Sequence, residues 1–313
     1  MRLLFMGTPA FAVPTLRALL SSHHTVSAVF TQPDKPSGRG EKLASPPVKA
    51  VALEHGIPVH APEKLRAPEW QAIFAQLNAD AYVVVAYGKI LPQWLLAIPR
   101  LGAYNVHASL LPKYRGAAPI HWALANGETS TGVTTMKLDA GMDTGDLLLQ
   151  QAIPIGPEDT WFSLHERLAA IGSELMLRTL EAIELGTARP IPQDPALATY
   201  APMLKKSDGL LDWNQPATSL HNRIRAFNPW PGTYTLLRGE GLRIWKSCPS
   251  DVRDEALQPG CLLHHRSGAA LVGCGAGCLQ LEEVQLENRR RTSALDFLHG
   301  LRLGRGQTLL LGR

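Results

Sequence analysis

Apolar residues come in short dense runs near the start of the chain, with helically spaced segments between them. "RLLFMG" is such a run, closed by Gly7, and predicts a buried strand. "TPAF" is a turn. "AVPTLRALLSS" then spaces its apolar residues as a helix does, with Pro14 in the first turn, where no intrahelical bond needs its missing N–H. "TVSAVF" is the second strand. Strand, helix, strand implies parallel pairing. The alternation continues with "VKAVALEHG" as helix, "IPVHAP" as a short strand and "APEWQAIFAQLN" as helix. "ADAYVVVAYG" predicts a β-branched strand ending at Gly88, and "LGAYNVHASLLP" the next strand with its exit loop. "PIHWALANGE" reads as helix, "STGVTTMKLD" as strand, and "DTWFSLHERLAAIGSELMLRTLEAIELG" as a long amphipathic helix closing at Gly186.

Two stretches break this rhythm. Residues 31–49, "TQPDKPSGRGEKLASPPVK", are rich in proline, glycine and charge and predict a long exposed loop, of the kind that is usually functional or disordered. Residues 187–213 hold several prolines and no period, and read as a linker. Beyond them come a short helix, "ATSLHNRIRAF", and apolar runs parted by glycine and polar turns: "GTYTLLRG", "GLRIWKS", "GCLLHH", "AALVGCG" and "CLQLEEVQL". That pattern predicts a small antiparallel barrel. The expected fold class is therefore α/β with a parallel sheet in residues 1–189, a linker over 190–207, and a C-terminal β-barrel over 208–313. In "RAFNPWPGT", Trp230 between two prolines is expected to pack between helix and barrel.

With 313 residues, 45 % of them hydrophobic, the chain has material for two cores and is no disordered segment. A net charge of +4 and a sequence pI near 8.9 allow an anionic partner without requiring one. The cysteines are Cys248, Cys261, Cys274 and Cys278. Cys261, His264, Cys274 and Cys278 follow no common zinc spacing, so no metal is expected and free thiols in a reducing compartment are the better reading. "MRLLFMGTPAFAVP" has one Arg and an "AFA", but Gly7, Thr8 and Pro9 interrupt its apolar run, which argues against an export signal. No run reaches the about 18 apolar residues that span a bilayer. A soluble, cytoplasmic protein without a membrane partner is expected. The first strand and turn also lack the three glycines of a dinucleotide fingerprint.

The candidate chemistry lies in "NVHASLLPKYRGAAPI", residues 105–120. Alternate strand residues share a face, so Asn105 and His107 point the same way. They sit near the carboxyl end of an expected parallel strand, where open α/β sheets place their sites. "DAGMDTGD", residues 139–146, leaves the next strand and offers carboxylates in a glycine-loosened loop, on the expectation that adjacent strands end near one another. An amide donor, an imidazole and a carboxylate, with no serine elbow and no metal set, suit transfer of a small carbonyl group to an amine. The amide and imidazole N–H groups can hold the oxyanion. The carboxylate can orient the imidazole, favour its charged form and relay a proton. On spacing alone, an Asn and a His at a strand end are more often structural, and Asp143 beside Thr and Gly is more often a turn former.

"NVHASLLPKYRGAAPI" followed by "GVTTMKLDAGMDTGDLL" resembles the signature of the folate-dependent formyltransferases. The likeness runs through "LLFMGTPAFAVPTL", "TQPDKPSGRGEKL", "VVVAYGKILP", "TYAPMLKK", "IRAFNPWPGT" and "TSALDFLHGLRL", in order along nearly the whole chain. It is most similar to the members that formylate initiator tRNA for translation. The resemblance implies a Rossmann-like formyltransferase domain and an OB-like, tRNA-binding barrel. It implies 10-formyltetrahydrofolate as donor and the α-amino group of initiator Met-tRNA as acceptor, with Asn105, His107 and Asp143 carrying the transfer. By it, Ser109, Leu110, Leu111 and Pro112 hold the folate. The turn that includes Ala86, Tyr87, Gly88, Ile90 and Leu91 lines the pterin. Ala108 stands where several relatives have glycine, a small change.

The same likeness makes "PDKPSGRGEK" an insertion that approaches the tRNA acceptor end, with Arg39 at its tip and Lys35 and Lys42 attracting phosphate. Composition alone makes it a solvated basic loop. Arg289, Arg290, Arg291, Lys205 and Lys206 are further candidates for tRNA phosphates, against the plainer reading of surface cations. A monomer is expected. The main alternative is a folate-dependent formyltransferase for a nucleotide-linked amino sugar, against which the full "LDAGMDTGDLL" and "GRGEK" stretches argue. A tRNA-binding protein with a decayed site and a hydrolase that releases formate are weaker readings.

Overall fold

The computed structural model describes residues 1–37, 42–252 and 257–312. Contacts divide the chain into two units. One comprises Met1–Pro119, Ser130–Pro154 and Ser163–Ala201, the other Ile120–Thr129, Ile155–Phe162 and Pro202–Arg313.

In the first unit the expected alternation is present: β1 (Arg2–Gly7), α1 (Val13–Leu20), β2 (Thr25–Phe30), a hairpin of β3 (Lys35–Ser37) and β4 (Lys42–Ala44), α2 (Pro47–Glu54), β5 (Val59–His60), α3 (Pro68–Gln76), β6 (Ala81–Val85), α4 (Gln93–Leu96) and β7 (Ala103–His107). Then, along the chain, come β8 (Arg115–Gly116), α5 (Pro119–Ala125, which from Ile120 on falls in the second unit), β9 (Ser130–Lys137), β10 (Leu147–Pro154), α6 (Trp161–Glu184) and β11 (Tyr200–Ala201). The sheet order is β10-β9-β7-β6-β1-β2-β5. Strands β5, β2, β1, β6 and β7 are parallel, so their carboxyl ends gather at one edge, the position that open α/β sheets use for ligands. β1 and β6 are buried on both faces, which is why they read as continuous apolar runs. One face carries Leu4, Met6, Phe30, Phe74, Tyr82 and Leu95, with the Phe30 and Phe74 rings stacked 4.2 Å apart. On α6, Gly172 allows close approach to β7: a Cβ there would lie 2.7 Å from a methyl of Val106.

The structure departs from the sequence pattern in several places. β9 is antiparallel to β7, and β10 to β9. β10 itself was not expected: Gln150 and Gln151 split its apolar run, and its second half alternates between partly buried and exposed residues, as befits an edge strand. Within the stretch read as one long loop, Lys35 pairs with Ala44, and Pro46 and Pro47 open α2. Finally, much of the expected linker is bonded into the first unit. Ile191 pairs with Leu147, Pro195–Leu197 form a 3-10 turn, and β11 pairs in parallel with β8. Side-chain and backbone bonds to neighbours far away in sequence hold this segment, so no periodic pattern marks it.

The second unit contains α7 (Ala217–Phe227), β12 (Thr233–Leu237), β13 (Glu240–Ser250), β14 (Cys261–His264), β15 (Ala270–Gly273), β16 (Cys278–Leu286), β17 (Thr292–Ser293), α8 (Ala294–Gly300) and β18 (Thr308–Leu310). An antiparallel sheet runs β12-β13-β16-β15-β14-β18 and curls until Leu236 of β12 bonds with Gly312, just past β18. This is the expected OB-like architecture. Arg238 and Gly239, both at positive φ, make the two-residue β12–β13 turn that the strand twist favours. Leu220 and Ile224 of α7 fill the interior with Leu242, Ile244, Leu262 and Val284. The buried Trp213 indole donates to Thr235 Oγ1 at 3.0 Å. Trp230, expected to be packed, is exposed. All four cysteines are free, and burial pushes the Cys274 thiol up to about 12. Among the described residues no helix is long and apolar enough to cross a membrane.

Burial holds His60, His165 and His221 below their ordinary value of 6.5, with the Arg225 charge adding to the effect at His221. The unfolded chain then binds protons that the folded one refuses. This contribution is complete above about pH 6.5 and is lost as pH falls below it. Thermal unfolding followed by circular dichroism is expected to give a lower midpoint at pH 5.5 than at pH 7.5.

Candidate active site

Asn105 and His107 lie two apart on β7, on one face, and are 9 % and 5 % exposed. The His107 ring is fixed from one side: Nε2 donates to the Tyr114 carbonyl at 2.9 Å. That bond assigns the Nε2 proton and leaves Nδ1 facing away from it. Nδ1 lies 3.6 Å from Asp143 Oδ2. The Asn105 carboxamide has no hydrogen-bond partner among the described residues. Its polar atoms are not among the fully buried unpaired ones, so the carboxamide stays open to solvent or to a ligand.

Asp143 reaches His107 by a route that the sequence did not suggest. Because β9 is antiparallel, its exit at Lys137 lies opposite Tyr104, near the start of β7, while His107 pairs with Thr134. The loop leaving β9 must therefore return about 10 Å along the sheet, three residues of strand, to meet the imidazole. Lys137 N–H donates to the Asp146 carbonyl at 2.9 Å and closes the loop's base. Asp139 Oδ1 accepts from Gly141 N–H at 3.0 Å and from Thr144 Oγ1 at 2.7 Å. Asp143 sits at φ +54, a left-handed conformation that Asp tolerates better than most residues. Its Oδ2 accepts from Gly116 N–H at 2.8 Å. Adjacent strand ends, the basis on which Asp143 was first placed, do not bring it to His107; the returning loop does.

The exit of β7 is also pinned. Ser109 Oγ donates to the Lys113 carbonyl at 2.6 Å. Thr134 Oγ1 donates to the Ser109 carbonyl at 2.6 Å and accepts from Leu111 N–H at 3.1 Å and Gln150 Nε2 at 2.9 Å. Gln150 Nε2 also donates to the Leu111 carbonyl at 2.8 Å. Ser109 and Leu111 are buried, whereas Leu110 and Pro112 are half-buried, and the Leu111–Pro112 bond is cis. Thr134 was missed in the sequence; among the several polar residues of β9 nothing local sets it apart, and only its register opposite His107 does. Thr134→Val keeps the shape and strands a buried carbonyl and N–H. It is expected to cost about 2 kcal/mol, read as a lower urea midpoint with unchanged slope.

In the turn after β6, Ala86 and Gly88 have positive φ and are exposed. The Tyr87 carbonyl is already taken by Thr8 Oγ1 and Gln32 Nε2, each at 3.0 Å. The Tyr87 and Leu91 side chains belong to the core, whereas Ile90 is exposed. Ile90 borders an open cleft of about 290 Å³ with Lys64, Leu65, Arg66 and Lys89. Lys89 Nζ donates to the carbonyls of Pro62 and Glu63.

Of the cations expected to meet nucleic acid, Lys35 is exposed on β3. Arg39 and the Lys42 side chain lie outside the described residues. In the second unit Lys205, Lys206, Arg289 and Arg290 are exposed. Arg291 pairs with Glu283 and stacks 4.8 Å from the Trp245 ring centre, contacts that hold it against its own barrel.

Residues 1–180 match the family model described as formyl transferase, and residues 203–302 the one described as formyl transferase, C-terminal domain. The chain belongs to the formyl transferase family. A methionyl-tRNA formyltransferase of Geobacter metallireducens is 54 % identical over 97 % of both chains. One of Geobacter sulfurreducens is 51 % identical over 99 % of this chain and 96 % of its own. Solved structures agree on the fold. HypX from Aquifex aeolicus in complex with tetrahydrofolic acid superposes with a TM-score of 0.64 at 18 % identity, over 97 % of this chain and 48 % of that one, so this formyl transferase spans about half the HypX chain. An N-formyltransferase from Helicobacter canadensis, in complex with folinic acid and dTDP-3-aminofucose, gives 0.65 at 19 % identity, over 89 % and 98 %.

Proposed function

We propose that this formyl transferase moves the formyl group of 10-formyltetrahydrofolate to the α-amino group of initiator methionyl-tRNA, and that Asn105, His107 and Asp143 carry the step. The observation behind the site assignment is an imidazole locked on Nε2, with Nδ1 turned to Asp143, beside an unpaired carboxamide. That carboxamide fits a carbonyl oxygen. The amine lone pair attacks the formyl carbon, and the carbonyl electrons move to oxygen. Asn105 N–H and a proton on His107 Nδ1 stabilise that charge, each worth a few kcal/mol. The C=O then re-forms as the bond to the folate nitrogen breaks. The departing nitrogen takes the His107 Nδ1 proton, and Asp143 takes the proton lost by the amine and returns it to Nδ1. No metal has a role in this scheme.

The folate is taken to lie against residues 109–112 and the turn of residues 86–91, where the exposed Ile90 and the half-buried Leu110 and Pro112 offer contact. Lys35, Arg39, Lys42, Lys205, Lys206, Arg289 and Arg290 are taken to meet tRNA phosphates, an attraction that salt weakens. Arg291 contributes least, given its contacts within the barrel. The enzyme is read as a cytoplasmic monomer. The kinship to methionyl-tRNA formyltransferases at 51–54 % identity supports the acceptor over an amino sugar. The test supplies labelled formyl-folate with charged initiator tRNA, charged elongator tRNA, a nucleotide-linked amino sugar, or water alone. Label on initiator Met-tRNA only is the expected result; label on the sugar or release as formate in its place refutes it.

A further inference from the structure

The returning loop that presents Asp143 has few anchors of its own, and the structure shows what holds it. Gln193 Nε2 donates to the Asp143 carbonyl at 2.9 Å and to the Gly145 carbonyl at 2.7 Å. Its Oε1 accepts from Arg115 Nε at 3.1 Å and Nη2 at 2.7 Å. Arg115 is only 5 % exposed, so this fork is not a passing surface contact. The residue after Arg115 is Gly116, whose N–H holds the Asp143 carboxylate. The residue before it is Tyr114, whose carbonyl fixes the His107 ring.

The bonds form a closed circuit. It runs from the Asp143 carboxylate to Gly116, along the backbone to Arg115, across the guanidinium to Gln193, and back to the Asp143 carbonyl. Both ends of the His107–Asp143 contact are thus set by residues 114–116, and Gln193 closes the circuit. We infer that Gln193, with Arg115, is a positioning residue for formyl transfer: it fixes the Asp143 loop at the distance from His107 that the reaction needs. This rests on the proposed roles of His107 and Asp143. The backbone around Gln193 is itself tied to the same strand, since Tyr114 N–H donates to Thr199 Oγ1 and Arg115 N–H to the Thr199 carbonyl, each at 2.8 Å. Removing the Gln193 side-chain bonds therefore leaves the segment in place and frees only the loop.

The decisive substitution is Gln193→Glu in the full chain. A glutamate keeps, and by its charge strengthens, the bond to Arg115, but it has no N–H for the carbonyls of Asp143 and Gly145. If Gln193 serves only stability, the variant keeps full activity. If it positions Asp143, kcat falls about 10- to 100-fold, the scale of an ångström-sized misplacement, while KM for donor and for Met-tRNA stays within about twofold. Gln193→Met, of similar volume and without either bond, serves as the second variant. Amide hydrogen exchange at Gly116 is followed in parallel and needs no substrate. It is expected to speed up at least about tenfold in both variants, as the bond to Asp143 Oδ2 is held less of the time. Wild-type kcat in Gln193→Glu, or unchanged Gly116 exchange in either variant, overturns the inference. A wild-type enzyme that fails to formylate Met-tRNA would instead refute the proposed function, and the exchange measurement would still decide whether Gln193 holds the loop.

Discussion

Turnover by His107→Ala is expected to fall about 10³-fold, and by Asn105→Ala about 10²- to 10³-fold, with donor and tRNA binding near wild type. A single oxyanion donor is typically worth that much, a few kcal/mol of barrier. His107 has the larger effect because its loss removes a donor and also a side chain placed to exchange a proton with Asp143. Neither change should disturb the fold: both side chains shrink, and the β7 ladder runs through backbone groups. Steady-state formylation, with binding of each substrate measured separately, is the check. Equal losses in kcat and in donor affinity would assign Asn105 and His107 to folate binding rather than to the reaction. Undiminished kcat in either variant would remove that residue from the transfer step.

The second large effect is expected at a residue with no side chain. A Cβ on Gly145 would lie 1.8 Å from the Lys137 carbonyl oxygen and 3.0 Å from its carbon. Both atoms are backbone, at the base of the loop where Lys137 N–H meets the Asp146 carbonyl. Nothing flexible can yield, so in Gly145→Ala the two segments must part by more than an ångström. The Gly145 carbonyl would then leave Gln193, and Asp143 would leave His107. Overpacking of this kind costs about 1–3 kcal/mol of stability. The catalytic cost should be greater, at least about 100-fold in kcat. Melting temperature and kcat measured on the same sample separate the two effects: a modest drop in the first with a collapse of the second is the expected pair. A Gly145→Ala enzyme with wild-type turnover would show that the loop's position does not matter.

These expectations show what kind of information the chain carries openly. Strands β1, β2, β6 and β7 and helices α1, α3, α6 and α7 were legible because apolar spacing is a local property of each segment, and burial then follows it. Asn105 and His107 were legible as a pair because alternation puts them on one face. Strand direction was not: nothing in "STGVTTMKLD" says whether it runs with or against β7, and the geometry of the Asp143 loop depends on that direction. The edge strand β10 was hidden by two glutamines, one of which, Gln150, holds the Leu111 carbonyl. Thr134, Arg115 and Gln193 were hidden for a related reason. Thr134 and Gln193 act through hydrogen bonds to backbone groups far away in sequence, and Arg115 through its fork on the Gln193 side chain; such bonds leave no periodic mark. The family resemblance supplied the proposed substrates and the proposed roles of Asn105, His107 and Asp143, and spacing could not have ranked these residues above ordinary structural ones.

The parallel pairing of Tyr200 and Ala201 with Arg115 and Gly116 bears on how this molecule can be dissected. A truncation chosen where the helical pattern stops, near residue 189, would sever Gln193 and Thr199 from the part they brace, and would leave Arg115 with an unmet fork in the interior. A minimal fragment intended to retain chemistry on a simplified acceptor must run through Ala201, twelve residues past the point at which the sequence stops looking like a domain.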